Sequence, residues 1–204
     1  MAKRKRLNSR RTIKKTYLIV TNGAVTEPQY FQNYKFPNLK IVHCDGFSPL
    51  ETMRKAVKIA GEQRKAQAKY ADVWVVVDKD NYKETELQQA RKLGKQKNID
   101  LIVSVPCFEI WLLWHLQECG SHLTTPQAQE RFERALSAIL PPDQVRKRKK
   151  TEKSRKYLPT TFPYDQWTKA KERNDKIVRI KGKPYPNPSS PVGEIMETVT
   201  KSLQ

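Results

Sequence analysis

Short apolar runs separated by amphipathic stretches organise the first 120 residues of this chain. Residues 16–21, 39–43, 72–77 and 100–105 are short, rich in β-branched side chains and bounded by polar residues, so they read as strands. Between them lie helical signals. Thr26-Glu27-Pro28 reads as a helix start, with Thr26 as N-cap and Pro28 in the first turn. Pro49 opens a helix expected to reach about Tyr70, with Met53, Val57 and Ala60 on one face. A polar helix follows over about residues 83–97, and Pro106 starts a strongly apolar one through Leu116. Strands alternating with helices predict an α/β fold with a parallel sheet and right-handed crossovers.

The rest of the chain is less regular. Helices are expected over residues 126–139, 164–176 and 192–203, and Pro141-Pro142 is expected to break the chain before a basic tract. The proline-rich segment 183–191 is expected to stay out of the core, because proline lacks a backbone donor and fixes φ. The expected organisation is a basic arm (1–15), an α/β domain (16–120) and a helical, basic C-terminal part (121–204).

Charge adds a partner class to this picture. The formal net charge is +19, from 40 Lys and Arg against 21 Asp and Glu. Sixteen of those cations, with one acid, sit in residues 1–15 and 146–156, so the remainder carries only +4. Arg4, Arg6, Arg10 and Arg11 stand in the first tract; Arg146, Lys147, Arg148, Lys149 and Lys150 stand in the second. Two concentrated cationic tracts attract a polyanion through phosphate contacts that release counterions, so nucleic acid, DNA or RNA, is the expected partner. Neither tract interleaves enough large hydrophobes for a membrane anchor. The three cysteines show no CxxC pairing, and no signal peptide or apolar run of membrane-spanning length occurs. A cytoplasmic protein with reduced thiols is expected.

The candidate chemistry lies where strands end. Val73-Trp74-Val75-Val76-Val77 stops at Asp78-Lys79-Asp80, two carboxylates at the carboxyl end of a buried strand. Open α/β sheets place ligands there. A hard divalent cation, Mg2+ or Mn2+, would relieve the repulsion between the two acids. Equally, Asp78 could cap the next helix and Asp80 could be solvated. The first strand leads into Thr21-Asn22-Gly23, where glycine permits close backbone approach and the following helix N-terminus favours an anion such as phosphate. Glu27 and Glu109 each fall in the first turn of a helix, and each reads either as a ligand or as a charge complementing the helix dipole. Asp45-Gly46 reads as a turn, and His115 as a satisfied core residue. Cys107 has no companion histidine at a diagnostic spacing. P-loop, GxGxxG, HExxH and GxSxG patterns are absent, which removes the commonest nucleotide and hydrolase classes.

The segments YLIVTNGAVTEPQYF, VWVVVDKD and VPCFEIWLLWHL, in this order and spacing, resemble the RloB family, as does the weaker NPSSPV near the C-terminus. That resemblance implies a Toprim-like core in a prokaryotic protein of antiviral defence and abortive infection. In related systems it implies an AAA-type ATPase partner. It also implies a Mg2+-dependent nuclease, with Asp78 and Asp80 holding the metal and Glu27 and Glu109 in the corresponding motifs. One departure stands out: Asn22 occupies a position where the family usually has glutamate. An amide cannot act as a carboxylate base at neutral pH. Either Glu27 or Glu109 supplies the missing acid, or this member binds nucleic acid without efficient cleavage, as a binding or sensor subunit.

Overall fold

The computed structural model describes residues 15–79, 82–151, 156–181 and 186–203. Four parallel strands, β1 (Tyr17–Thr21), β2 (Leu39–His43), β3 (Asp72–Asp78) and β4 (Asp100–Ser104), form one sheet in the order β2-β1-β3-β4. Helices α1 (Thr26–Asn33), α2 (Pro49–Lys65) and α3 (Glu84–Lys97) connect successive strands. After β4 come α4 (Glu109–Leu116), α5 (Thr125–Ile139), α6 (Pro142–Lys149), a 3-10 turn (Tyr164–Gln166), α7 (Trp167–Lys181) and α8 (Val192–Lys201). The expected α/β class and parallel sheet are present.

Strand residues alternate between faces, and two cores result. Tyr17, Ile19, Trp74, Val76 and Ile102 pack with Tyr30 and Phe31 of α1 and with the apolar residues of α4. Leu18, Val20, Val73, Val75, Val77 and Val103 pack under Met53 and Ala56 of α2 and Leu87 and Ala90 of α3. The step from β1 out to β2 thus runs along one face, and the steps back to β3 and on to β4 run along the other. Right-handed crossovers switch face when the direction of travel reverses. The reversal lies between β1 and β3, so the loops leaving their carboxyl ends diverge to opposite faces and open a crevice.

Several boundaries differ from expectation. Helix α2 stops at Lys65 rather than near Tyr70, because the next residues are exposed and Gln67 turns the chain at φ 59°. The cap of α1 is Val25, not Thr26, whose hydroxyl donates instead to the Lys156 carbonyl at 3.2 Å. Helix α4 begins at Glu109 rather than Pro106. The chain before it is still extended, since Val105 and Ser189 exchange both backbone hydrogen bonds, at 2.7 and 2.9 Å. Pro142 does end α5, but it also opens α6, since the first helical residue needs no N–H partner.

The proline-rich segment is the largest correction. Ser189 and Ser190 are fully buried. Prolines exclude this stretch from a regular ladder, yet one antiparallel bridge uses only the groups of Ser189, and side chains satisfy the rest. The Ser190 N–H donates to Asn174 Oδ1 at 2.8 Å, and its hydroxyl meets that of Ser104 at 2.8 Å. The Asn187 amide clamps both backbone groups of Leu123, at 2.7 and 3.1 Å. Residues of α5, α7 and α8, including Phe132, Ala170 and Ile195, share the core of α1 and α4. Packing therefore runs continuously across residue 120, where the sequence suggested a division.

A candidate site at the carboxyl edge of the sheet

Register places the ends of β1 and β3 side by side. Thr21 pairs with Val76, so Asp78 extends two residues beyond, alongside the Asn22-Gly23 loop. The Asn22 N–H donates to the Val76 carbonyl at 3.2 Å, and the Thr21 hydroxyl donates to the Gly23 carbonyl at 2.8 Å. The first bond holds the loop against β3, and the second closes the loop on the end of β1. On the other side Asp78 pairs with Ser104 of β4, and the Lys79 N–H donates to the Ser104 carbonyl at 2.8 Å. Asp78 has the parity of Trp74 and Val76, which assigns its side chain to the face covered by α1 and α4. Glu27 and Glu109 occupy the first turns of those two helices. The fold thus brings three of the acids singled out in the sequence to one edge and one face.

Gly23 has a different role from the one its sequence context implied. A Cβ there would stand 2.1 Å from Glu27 Oε1, so the Glu27 carboxylate folds back onto the loop and would have to shift for any side chain at this position. Glu27 is 6% exposed. The anion seated at the start of α1 is therefore the protein's own carboxylate, in a place where an external phosphate was expected. Glutamate and aspartate oxygens suit a hard cation such as Mg2+ or Mn2+, and the glycine-backed carboxylate is compatible with one. Among the described residues, no three His, Cys, Asp or Glu side chains group closely enough to hold a metal. Asp80 lies outside the described residues.

Glu109 and Thr26 line a cavity of about 580 Å3 together with Gln129, Phe132 and Glu133 of α5 and with Lys156. The segment that carries its wall residue Lys156 is fastened to α1. Thr26 bonds the Lys156 carbonyl, and the Gln29 amide bonds both backbone groups of Leu158, at 3.0 and 2.7 Å. Sequence reasoning missed this fastening, because a threonine and a glutamine one turn apart carry no signal of a partner 129 residues away.

The basic tracts divide. Arg4, Arg6, Arg10 and Arg11 lie outside the described residues, as does the side chain of Lys149. Arg146, Lys147 and Lys150 are exposed on and just after α6, with Lys147 3.8 Å from Asp143. Arg148 is buried: its guanidinium pairs with Glu133 and donates to the Tyr157 carbonyl. It is therefore a structural anchor, not the phosphate contact the charge run implied. The helical spacing that exposes its neighbours turns this one residue inward.

The chain belongs to the RloB-like family. The family model, described as RloB-like protein, matches residues 17–199, nearly the whole chain. No curated protein and no solved structure matches it. The match spans all four strands and runs through most of α8, so the buried Asn-Pro-Ser-Ser-Pro segment belongs to the RloB-like unit. Among the described residues, no helix is long and apolar enough to cross a membrane.

His115 is a core residue, as its apolar surroundings implied. It is 3% exposed, with Nδ1 3.0 Å from the Pro163 carbonyl and Nε2 3.1 Å from the Tyr30 hydroxyl. A carbonyl only accepts, so Nδ1 carries the hydrogen and Nε2 receives one from Tyr30. Burial lowers its pKa to about 4, opposed by the Pro163 carbonyl and Asp165 and assisted by Arg173. Cys44, Cys107 and Cys119 are buried and form no disulfide.

Proposed function

We propose that this RloB-like protein is a Toprim-like, Mg2+-dependent nuclease of antiviral defence that acts on DNA or structured RNA. The observation that supports it best is that Glu27, Asp78 and Glu109 all stand at the carboxyl edge of the sheet, on the face covered by α1 and α4. A Mg2+ or Mn2+ ion held by Asp78 and Asp80 would stabilise charge on a scissile phosphate and activate water. The protein's own groups have separate tasks. Glu27, fixed over Gly23, and Glu109, at the mouth of the cavity, are the two carboxylates able to accept a proton from the attacking water. Asn22, pinned by its backbone to β3, can orient a phosphate oxygen by hydrogen bonding. The exposed cations of α6 hold the strand.

The second reading is a non-catalytic nucleic-acid-binding or sensor subunit working with a partner ATPase. Asn22 favours it, because the amide removes one carboxylate from the place where the family usually carries it. One assay decides between the two: labelled DNA, tRNA and total RNA incubated with Mg2+, Mn2+ or chelator. Metal-dependent cleavage that disappears in Asp78→Ala and Glu27→Gln, with binding retained, supports the nuclease. Binding without cleavage under every condition, and none created by Asn22→Glu, leaves the binding subunit.

A further inference from the structure

We propose that the cavity between α1, α4 and α5 receives one unpaired base of a single-stranded nucleic acid, while its phosphates lie along α6. This rests on the nucleic-acid-binding reading above and narrows it to single strands at a defined place.

The chemistry of the walls separates base from phosphate. Glu109, Glu130 and Glu133 outnumber Arg134 and Lys156 around the cavity. Glu130 is held by Arg134 at 2.7 Å, and Glu133 is paired with Arg148. With two of the three carboxylates paired, such walls offer a phosphate no net positive charge and suit a neutral heterocycle. Carboxylates accept hydrogen bonds from exocyclic amino groups and ring N–H, Gln129 and Ser137 can donate or accept, and Phe132 and Pro126 supply apolar surface. The volume of about 580 Å3 lies within the range of small-ligand pockets. A base stacked inside a duplex cannot enter it without being flipped out.

The neighbouring helix α6 carries the opposite charge, and its position is built in. Arg148 ties α6 to Glu133, a residue of the cavity wall, so the exposed Arg146, Lys147 and Lys150 are held at a set place relative to the opening. The same guanidinium holds the Tyr157 carbonyl, and Tyr157 is 47% exposed next to Lys156 of the cavity wall. An exposed aromatic ring beside a basic helix is the pairing used by proteins that bind single strands, where bases stack and phosphates meet cations.

The test uses the full chain and an RNA oligonucleotide carrying one 2-aminopurine, presented unpaired or within a duplex at the same salt concentration. Binding of the single strand should change the 2-aminopurine fluorescence, and binding of the duplex should not. Gln129→Trp, an exposed position at the cavity, should weaken single-strand binding about tenfold and leave duplex binding within twofold. Ser137→Phe, which fills the cavity from about two turns further along α5, should do the same with unchanged far-ultraviolet circular dichroism. Tyr157→Ala should weaken the single strand severalfold. Neutral cavity variants, or equal losses for single strand and duplex, overturn the cavity assignment and leave the nuclease reading to its cleavage assay. A chain that binds neither strand overturns both.

Discussion

The two faces of the sheet are built by different means. The α2/α3 face is aliphatic: valines of β1 and β3 meet Met53, Ala56, Leu87 and Ala90, all drawn from one contiguous stretch of the chain and the strands it connects. The α1/α4 face is aromatic and layered: Tyr30, Phe31, Phe108, Trp111 and Trp114 lie over the strands, and residues from α5, α7 and α8 complete the core. Ring pairs run through it without interruption, with Tyr30 contacting Phe31, Tyr34, Phe108, Trp111, His115 and Tyr164. Glu27, Asp78 and Glu109 all belong to this second face. The difference teaches that a site assembled from distant segments needs a face whose packing is itself long-range, because local packing alone cannot position a wall residue as distant in sequence as Lys156.

The sharpest way to break this comparison is to remove one large side chain from each face. Trp111→Ala should cost about 4 kcal/mol, and Met53→Ala about 3 kcal/mol, from lost burial plus the cavity left behind; both residues are fully buried. In urea melts the two should be of similar size. Their effect on nucleic-acid binding should differ, with Trp111→Ala weakening it at concentrations where both proteins remain folded and Met53→Ala leaving it unchanged. Equal effects on binding would mean that the aromatic face has no special coupling to the site.

A second measurement reads the aromatic face alone through pH. Folded His115 stays neutral down to about pH 4, whereas an unfolded histidine takes its proton near 6.5. Between those values the unfolded state binds the extra proton, so stability contributed by this residue is present above pH 6.5 and is lost as pH falls through the window toward 4. The loss amounts to roughly 3 kcal/mol. Denaturant melts of wild type and His115→Gln at pH 7 and pH 4.5 should show the variant losing clearly less stability on acidification. Parallel pH profiles would place the titrating group elsewhere.

The smallest expected effect belongs to the α2/α3 face. Ser48 caps α2 in a reciprocal box: its hydroxyl receives the Glu51 N–H at 3.3 Å, and Glu51 Oε2 receives the Ser48 N–H at 2.9 Å. Ser48→Ala should cost about 1 kcal/mol and leave both nucleic-acid binding and the pH profile untouched. A change in either would show that the two faces communicate through the sheet.

Much of the fold was legible in the residues themselves. Strands of four or five apolar residues and helices with one apolar face are local, so periodicity read along the chain located β1 to β4 and the helices between them. The family segments and the acids at 27, 78 and 109 were legible for the same reason, since strand ends and first helical turns are marked by charge following an apolar run. Convergence was not. That Asp78 shares a face with Glu27 and Glu109 depends on which side each crossover takes, and the direction of travel through the sheet decides this. That Glu27 occupies the space over Gly23 depends on one rotamer meeting one missing Cβ. Arg148 reads as one more cation in a basic run, and the burial of Ser189 and Ser190 contradicts the plain sense of four neighbouring prolines. In each case the deciding partner (Glu133, Val105, Asn174) lies on another element. Sequence alone determined which segments fold and what chemistry they carry; only the tertiary structure decided which of those groups meet, because burial and hydrogen bonding between distant segments are properties of the packed chain.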